Sequence, residues 1–203
     1  MQSNKALIAH LTAKGVLKTT AINDAFLAVD RTDFIRPEFL REAYGDYPLA
    51  IGYGQTISQP YTVAFMLELL QPQKGDKVLD VGSGSGWTTT LLAYIVQKEG
   101  SVLGTERIPE LVEFGNKNLE KYHLPNAKII QAGDEIGRPG KQFDKILVSA
   151  SAARIPLELI EQLKVGGRMV IPVQSSIYSV DKTSQDQVEK IEYYGFSFVP
   201  LIH

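Results

Sequence analysis

The chain has 203 residues, 44% of them apolar and 22% charged, with 21 Lys plus Arg against 23 Asp plus Glu and a formal net charge of −2. These proportions describe one globular domain rather than a disordered chain, and a charge this close to neutral supplies no basic field to hold nucleic acid or an anionic membrane. With no cysteine there are no disulfides, thiolate nucleophiles or Cys-ligated metals, and His10, His123 and His203 stand far apart without a partner at metal-ligand spacing, so no metal is expected.

The first ten residues lack the apolar core of a signal peptide, and no apolar run reaches the ~18 residues of a membrane span. A soluble cytoplasmic protein is expected. Leu7, Ile8 and Leu11 lie at helical spacing, closed by Gly15. Ala21, Ile22, Ala25, Phe26 and Val29 form a second helical face, with Thr19 or Thr20 as the N-cap. Residues 44–60 hold three glycines, two prolines and three tyrosines, which reads as an ordered loop rather than a linker. That loop is either a lid or a small tyrosine core. A helix resumes from Tyr61 to Leu70.

From residue 76 strands and helices alternate. Strands are predicted at 77–81, 101–106, 127–131, 143–149 and 167–173, and helices at 87–97, 109–122 and 156–163. This alternation means βαβ units and a parallel sheet. Residues 174–187 are polar, and 188–194 with 196–202 read as an antiparallel hairpin about Gly195. The whole is predicted as a single α/β domain: N-terminal helices and a loop over 1–60, a βαβ core over 61–173, and the C-terminal hairpin over 174–203.

Three features carry chemistry. Val78-Leu-Asp-Val-Gly-Ser-Gly-Ser-Gly-Trp87 runs a buried strand into Gly82, Gly84 and Gly86 and then a helix, so the backbone can approach a ligand closely. Its spacing is G-x-G-x-G, not the G-x-G-x-x-G of dinucleotide binders, and Asp80 beside the turn suits an ammonium group rather than a pyrophosphate. Glu106 ends the next strand 22 residues past Gly84, where a carboxylate can accept from both ribose hydroxyls. Asp134 and Glu135 follow the third strand, within reach of an adenine amino group. Four acids around one crevice favour a cationic nucleoside. S-adenosylmethionine, with its sulfonium, ammonium and ribose diol, fits better than NAD or ATP, whose phosphates have no Walker lysine here.

Gly54-Gln55-Thr56-Ile57-Ser58-Gln59-Pro60-Tyr61 precedes that motif. Here the chain resembles the protein-L-isoaspartate O-methyltransferase family, from about Gly15 to Pro200. The resemblance lies in residues 48–60, 79–86, Gly133-Asp134, Phe143-Asp144, 163–168 and Ile171-Pro-Val173. It implies a class I S-adenosylmethionine-dependent methyltransferase fold, a Rossmann-like doubly wound sheet, mostly parallel. The implied reaction moves a methyl group from S-adenosylmethionine to the free α-carboxylate of L-isoaspartyl residues in damaged proteins, releasing S-adenosyl-L-homocysteine. The ester then leaves as a succinimide forms, and hydrolysis returns some normal aspartate. Carried over, Ser58 is the serine at the active centre, and Gln55, Thr56, Ile57 and Tyr61 line the cofactor and substrate pocket. Asp80, Val81, Gly82, Ser83, Gly84, Glu106, Arg107, Asp134 and Glu135 hold the cofactor. The residues alone leave Ser58 open as a helix cap.

Three stretches depart from the family pattern. Glu135 stands where many members have glycine. Residues 148–156 carry Arg154, which faces solvent or meets a substrate carboxylate. Gln174-Ser-Ser-Ile-Tyr178 is short and glycine-free where members often have a glycine-rich loop leading to a glutamine near the substrate. Two rival readings stand beside the main one: a class I methyltransferase acting on a small molecule or RNA, and a module binding the cofactor or isoaspartate without turnover. With no apolar interface stripe, a monomer is expected.

Overall fold

The computed structural model describes residues 1–202. Helix α1 (Asn4–Ala13) is capped by the Ser3 hydroxyl, which accepts from the Ala6 N–H. Helix α2 (Thr20–Ala28) has Thr19 at its N-cap position, but that side chain caps nothing. The Thr19 hydroxyl instead donates to Glu68 Oε2 at 2.7 Å, so a tertiary carboxylate displaces the expected local bond. Two 3₁₀ turns follow, at Arg31–Phe34 and Pro37–Glu42.

The 44–60 segment is ordered, but not wholly a loop. It contains strands β1 (Leu49–Gly52) and β2 (Gln55–Ile57), paired antiparallel. Gly52 pairs with Gln55, leaving a two-residue turn in which Tyr53 (φ 56°) and Gly54 (φ 71°) are both left-handed, the φ pattern of a type I′ turn. The strands are too short to show alternation in the sequence. Tyr44 is tied down, its hydroxyl 3.0 Å from Asp30 Oδ2, whereas Tyr47 and Tyr53 are exposed.

Helix α3 (Pro60–Leu70) begins on a proline, whose missing N–H costs nothing in the first turn. Ser58 does not cap it: Gln59 holds the N-cap position, and the Tyr61 N–H donates to Asp46 Oδ1 at 2.9 Å instead. The cap comes from a distant loop, and the Ser58 hydroxyl takes no part in it.

The main sheet has seven strands in the order β5-β4-β3-β6-β7-β8-β9. These are β3 (Lys77–Val81), β4 (Ser101–Glu106), β5 (Ala127–Gln131), β6 (Phe143–Val148), β7 (Leu163–Val173), β8 (Ser176–Lys182) and β9 (Val188–Tyr194). The first five are mutually parallel; β8 pairs antiparallel with β7, and β9 antiparallel with β8. Helices α4 (Trp87–Val96), α5 (Pro109–Glu120) and α6 (Leu157–Glu161) make the crossovers. Alternation along the strands splits the core in two. Val78, Leu147 and Val170 point to the cluster that also holds residues of α1 through α5. Leu79, Ile146 and Met169 point to the opposite one, with Leu159 of α6.

Two C-terminal expectations need correction. The antiparallel pairs are β7 with β8 and β8 with β9, not 188–194 with 196–202; the 196–202 segment is irregular apart from an isolated bridge between Ser151, just past β6, and Pro200. The sequence hides β8 because its buried positions include Ser176, Ser179 and Lys182, whose ammonium donates to the Ile160 carbonyl at 2.8 Å. Strand β7 also starts four residues earlier than predicted, with Gly166 (φ 82°) and a register shift against β6 inside it. No helix among the described residues is long and apolar enough to cross a membrane.

Candidate active site

Open parallel sheets bind ligands beyond the carboxyl ends of their strands, and here three hollows lie there, the first and second sharing Gly82 in their linings. The first, of about 210 Å³, is lined by Gln55, Val81, Gly82, Glu106, Arg107, Asp134, Glu135 and Ala150, with the C-terminal residues Pro200, Leu201 and Ile202. The second is a narrow slot of about 30 Å³ beside the glycine turn, lined by Thr56, Ile57, Ser58, Gly82, Ser83, Gly84, Trp87, Thr88 and Ser149. The third is a groove of about 680 Å³ along Pro48, Ser58, Gln59, Tyr61 and residues 195–199. Thr56, Ser58 and Ser149 line both slot and groove. Three hydroxyl-bearing residues therefore stand where the two spaces meet.

The glycine turn works by close approach. A Cβ on Gly84 would come within 3.2 Å of Ile51 Cδ1, which is how the β1–β2 hairpin is brought against the turn. Gly86 is left-handed (φ 85°), and a Cβ there would lie 2.9 Å from the Gly115 carbonyl oxygen, so α4 and α5 need glycine at this point. Ser83 is buried, its hydroxyl donating to the Asp80 carbonyl at 3.1 Å; it shapes the turn.

Glu106 is 7% exposed. Its Oε2 accepts from the Gly84 N–H at 3.1 Å and its Oε1 from the Ile108 N–H at 2.9 Å. One carboxylate thus locks the turn to the end of β4 and keeps its remaining lone pairs for the crevice it lines.

Asp80 is fully buried beneath the turn and lines none of the three hollows. Its Oδ2 accepts from the Thr88 and Thr89 hydroxyls, both at 2.7 Å, and its Oδ1 lies 3.5 Å from Ser149 Oγ. Burial pushes its carboxyl up to about 6, a rise the three hydroxyls offset only in part and the Glu106 charge adds to. No cation is bonded to it among the described residues. Because this pKa lies above the ordinary value of 3.8, the penalty is absent at low pH, develops as pH rises from about 4 to 6, and is full above that. It is on the order of 3 kcal/mol. Asp80→Asn keeps an oxygen for Thr88 and Thr89. It is expected to raise thermal stability at pH 8 and to lose that advantage as the pH falls towards 4. Melting curves of both proteins across that range check the sign.

The other expected residues are dispersed along the hollows. Tyr61 lines the groove and neither the slot nor the first hollow; it stacks on Phe65, which stacks in turn on Phe196. Asp134, Glu135 and Arg107 are exposed at the rim of the first hollow. Arg154 is exposed and lines none of the three hollows. Sequence reasoning misses Ser149 and the 196–202 segment as parts of the site. Ser149 follows β6 directly and could have been found by the strand-end rule that finds Asp80 and Glu106. The tail carries no such signal.

The sheet order and the strand-end crevice match the Rossmann-like fold of a class I S-adenosylmethionine-dependent methyltransferase. Comparison narrows this. The family model for protein-L-isoaspartate(D-aspartate) O-methyltransferase (PCMT) matches residues 2–203. A protein-L-isoaspartate O-methyltransferase of Methanopyrus kandleri is 41% identical over 208 residues, covering 99% of this chain and 92% of the relative. One from Thermococcus onnurineus is 43% identical, covering 96% and 91%. A Plasmodium falciparum crystal structure described as a protein-L-isoaspartate O-methyltransferase in complex with S-adenosyl-L-homocysteine superposes with a TM-score of 0.89 at 28% identity, covering 100% and 99%. The chain belongs to the protein-L-isoaspartate(D-aspartate) O-methyltransferase family.

Proposed function

We propose that the whole chain is one S-adenosylmethionine-dependent methyltransferase that esterifies the α-carboxylate of L-isoaspartyl residues in damaged proteins, acting as a cytoplasmic monomer without nucleic acid. The carrying observation is the meeting of slot and groove at Thr56, Ser58 and Ser149, downstream of an acid-lined crevice. The donor set suits the cofactor. Glu106 has acceptor capacity left for a diol, and Asp80 is a buried carboxylate with no bonded cation among the described residues, beneath the glycine turn. Gln55, Val81, Gly82, Glu106, Arg107, Asp134 and Glu135 would hold the nucleoside. Ile57, Ser83 and Gly84 would line its charged arm, with Asp80 acting from beneath.

S-adenosylmethionine supplies, when bound, a sulfonium methyl whose C–S bond breaks as a carboxylate oxygen bonds to carbon, leaving the neutral thioether S-adenosyl-L-homocysteine. The accepting carboxylate has a pKa of ~4 and is ionised at neutral pH, so no base is needed. Ser58 orients it by donating a hydrogen bond, and Thr56 and Ser149 line the same opening. Tyr61 and Phe196 wall the groove that takes the flanking peptide. Anion and sulfonium become two neutral groups, so their charge fades towards the transition state, and a site that excludes water favours the step.

Paired peptides, one with isoaspartate and one with aspartate, test the reading through volatile methanol released from the ester. Signal from the isoaspartyl peptide alone is expected. Peptide binding without signal would mean a module without turnover. Neither binding nor signal would point to another substrate, as in a class I enzyme acting on a small molecule.

A further inference from the structure

Arg31 is a buried charge that the chemistry above does not use. Its residue exposure is 0%. Nη1 donates to the carbonyls of Ala43 (2.8 Å) and Gly45 (3.0 Å), and Nη2 to those of Tyr47 (3.0 Å) and Ser58 (3.1 Å). The guanidinium carbon lies 5.4 Å from the centre of the Trp87 ring, and Trp87 opens α4 and lines the slot. No carboxylate bonds it among the described residues, and Asp46 acts only through space. Burial draws its pKa down to about 10, so it remains charged at neutral pH.

Burying a guanidinium without a bonded carboxylate is expensive, and apolar packing would stabilise the same volume more cheaply. Geometry is what the arrangement provides instead. Three of the four carbonyls belong to residues 43–47, which have no strand partners, and the fourth belongs to Ser58, in the two-residue gap between β2 and α3. A planar fork can satisfy all four at once; an ammonium has three donors and no plane.

We propose that Arg31 is a positioning residue for methyl transfer, fixing the Ser58 backbone, and with it the Ser58 hydroxyl, against the 43–47 loop and the first residue of α4. This rests on the role given to Ser58 above. A purely structural arginine would lower the amount of folded protein without caring whether residue 58 carries a hydroxyl. A positioning arginine loses its purpose once that hydroxyl is gone.

The test is a cycle of four proteins: wild type, Arg31→Lys, Ser58→Ala and the double variant. Each is measured for melting temperature, calorimetric affinity for S-adenosyl-L-homocysteine, and kcat and KM on an isoaspartyl peptide. Arg31→Lys is expected to lower kcat about tenfold in the wild-type background and about twofold or less beside Ser58→Ala, with product affinity unchanged within about twofold. Equal fractional losses in both backgrounds, or an unchanged kcat, overturn the inference. An inactive wild type overturns the proposed function and this inference together, whereas an active wild type with additive losses overturns the inference alone. Should Arg31→Lys fail to fold, Arg31→Gln replaces it in the cycle; failure of both to fold assigns Arg31 to stability and overturns the inference.

Discussion

Ser58→Ala is expected to lower kcat by about 10- to 100-fold while leaving the affinity for S-adenosyl-L-homocysteine within about twofold of wild type. Two effects oppose each other. A hydrogen bond to the carboxylate stabilises the anion before reaction more than in the less charged transition state, so its loss alone would speed the step modestly. The same bond also fixes the carboxylate oxygen in line with the methyl group, and the orientation lost with it is worth several kcal/mol in well-aligned intramolecular reactions. Orientation outweighs the charge effect, because the groove of about 680 Å³ is wide enough to hold the acceptor in many poses. Steady-state kinetics on the isoaspartyl peptide, with calorimetry on the product, separates the outcomes. Weakened product binding with unchanged turnover at saturation would place Ser58 on the cofactor side and remove its role in orienting the acceptor.

How much of this is legible in the sequence depends on how local the cause is. Strands β3, β4 and β5 fall where the sequence predicts them, because each is a short apolar run punctuated by glycine, proline or charge. Gly82, Glu106 and Asp134 can be found because a parallel sheet gathers its strand ends at one edge, so position along the chain becomes position in space. Asp80 is expected beside the turn but lies beneath it, a distinction of depth that depends on which side of β3 the residue faces. Strand β8 escapes sequence reasoning because Ser176, Ser179 and Lys182 look like surface and are buried among neighbouring strands. Ser58 reads as either a cap or a site residue, and the cap reading fails because Asp46, fifteen residues before Tyr61, takes the N–H that a cap would have taken. Burial raises the Asp46 carboxyl, yet the Tyr61 N–H and Lys14 outweigh it and hold it below the ordinary range, so this remote cap is an ionised one. Arg31 is invisible for the same reason: its partners lie 12 to 27 residues away, and an arginine in a 3₁₀ turn has no periodicity that announces burial.

Glu106→Gln should show the reverse of the serine variant: product affinity weaker by about 10- to 100-fold, with kcat at saturating cofactor nearly unchanged. The carboxylate accepts one backbone N–H on each oxygen, from Gly84 and from Ile108, and would accept ribose hydroxyls on the lone pairs that remain. An amide of the same shape has a single accepting oxygen. If that oxygen stays with the Ile108 N–H, the NH₂ group faces the Gly84 N–H, donor against donor, and the turn that Ile51 packs against must shift. Leaving a buried donor unpartnered costs about 1–3 kcal/mol, and losing a hydrogen bond to a charged acceptor costs about as much again in binding. The variant should therefore melt at a lower temperature as well as bind the product more weakly. Calorimetry and melting curves taken together decide whether Glu106 serves the ligand or only the turn. A lowered melting temperature with unchanged affinity would make it a clamp on Gly84 and Ile108 alone. Weakened affinity that persists after allowing for the unfolded fraction would mean that the residue locking the glycine turn is also the one that recognises the sugar.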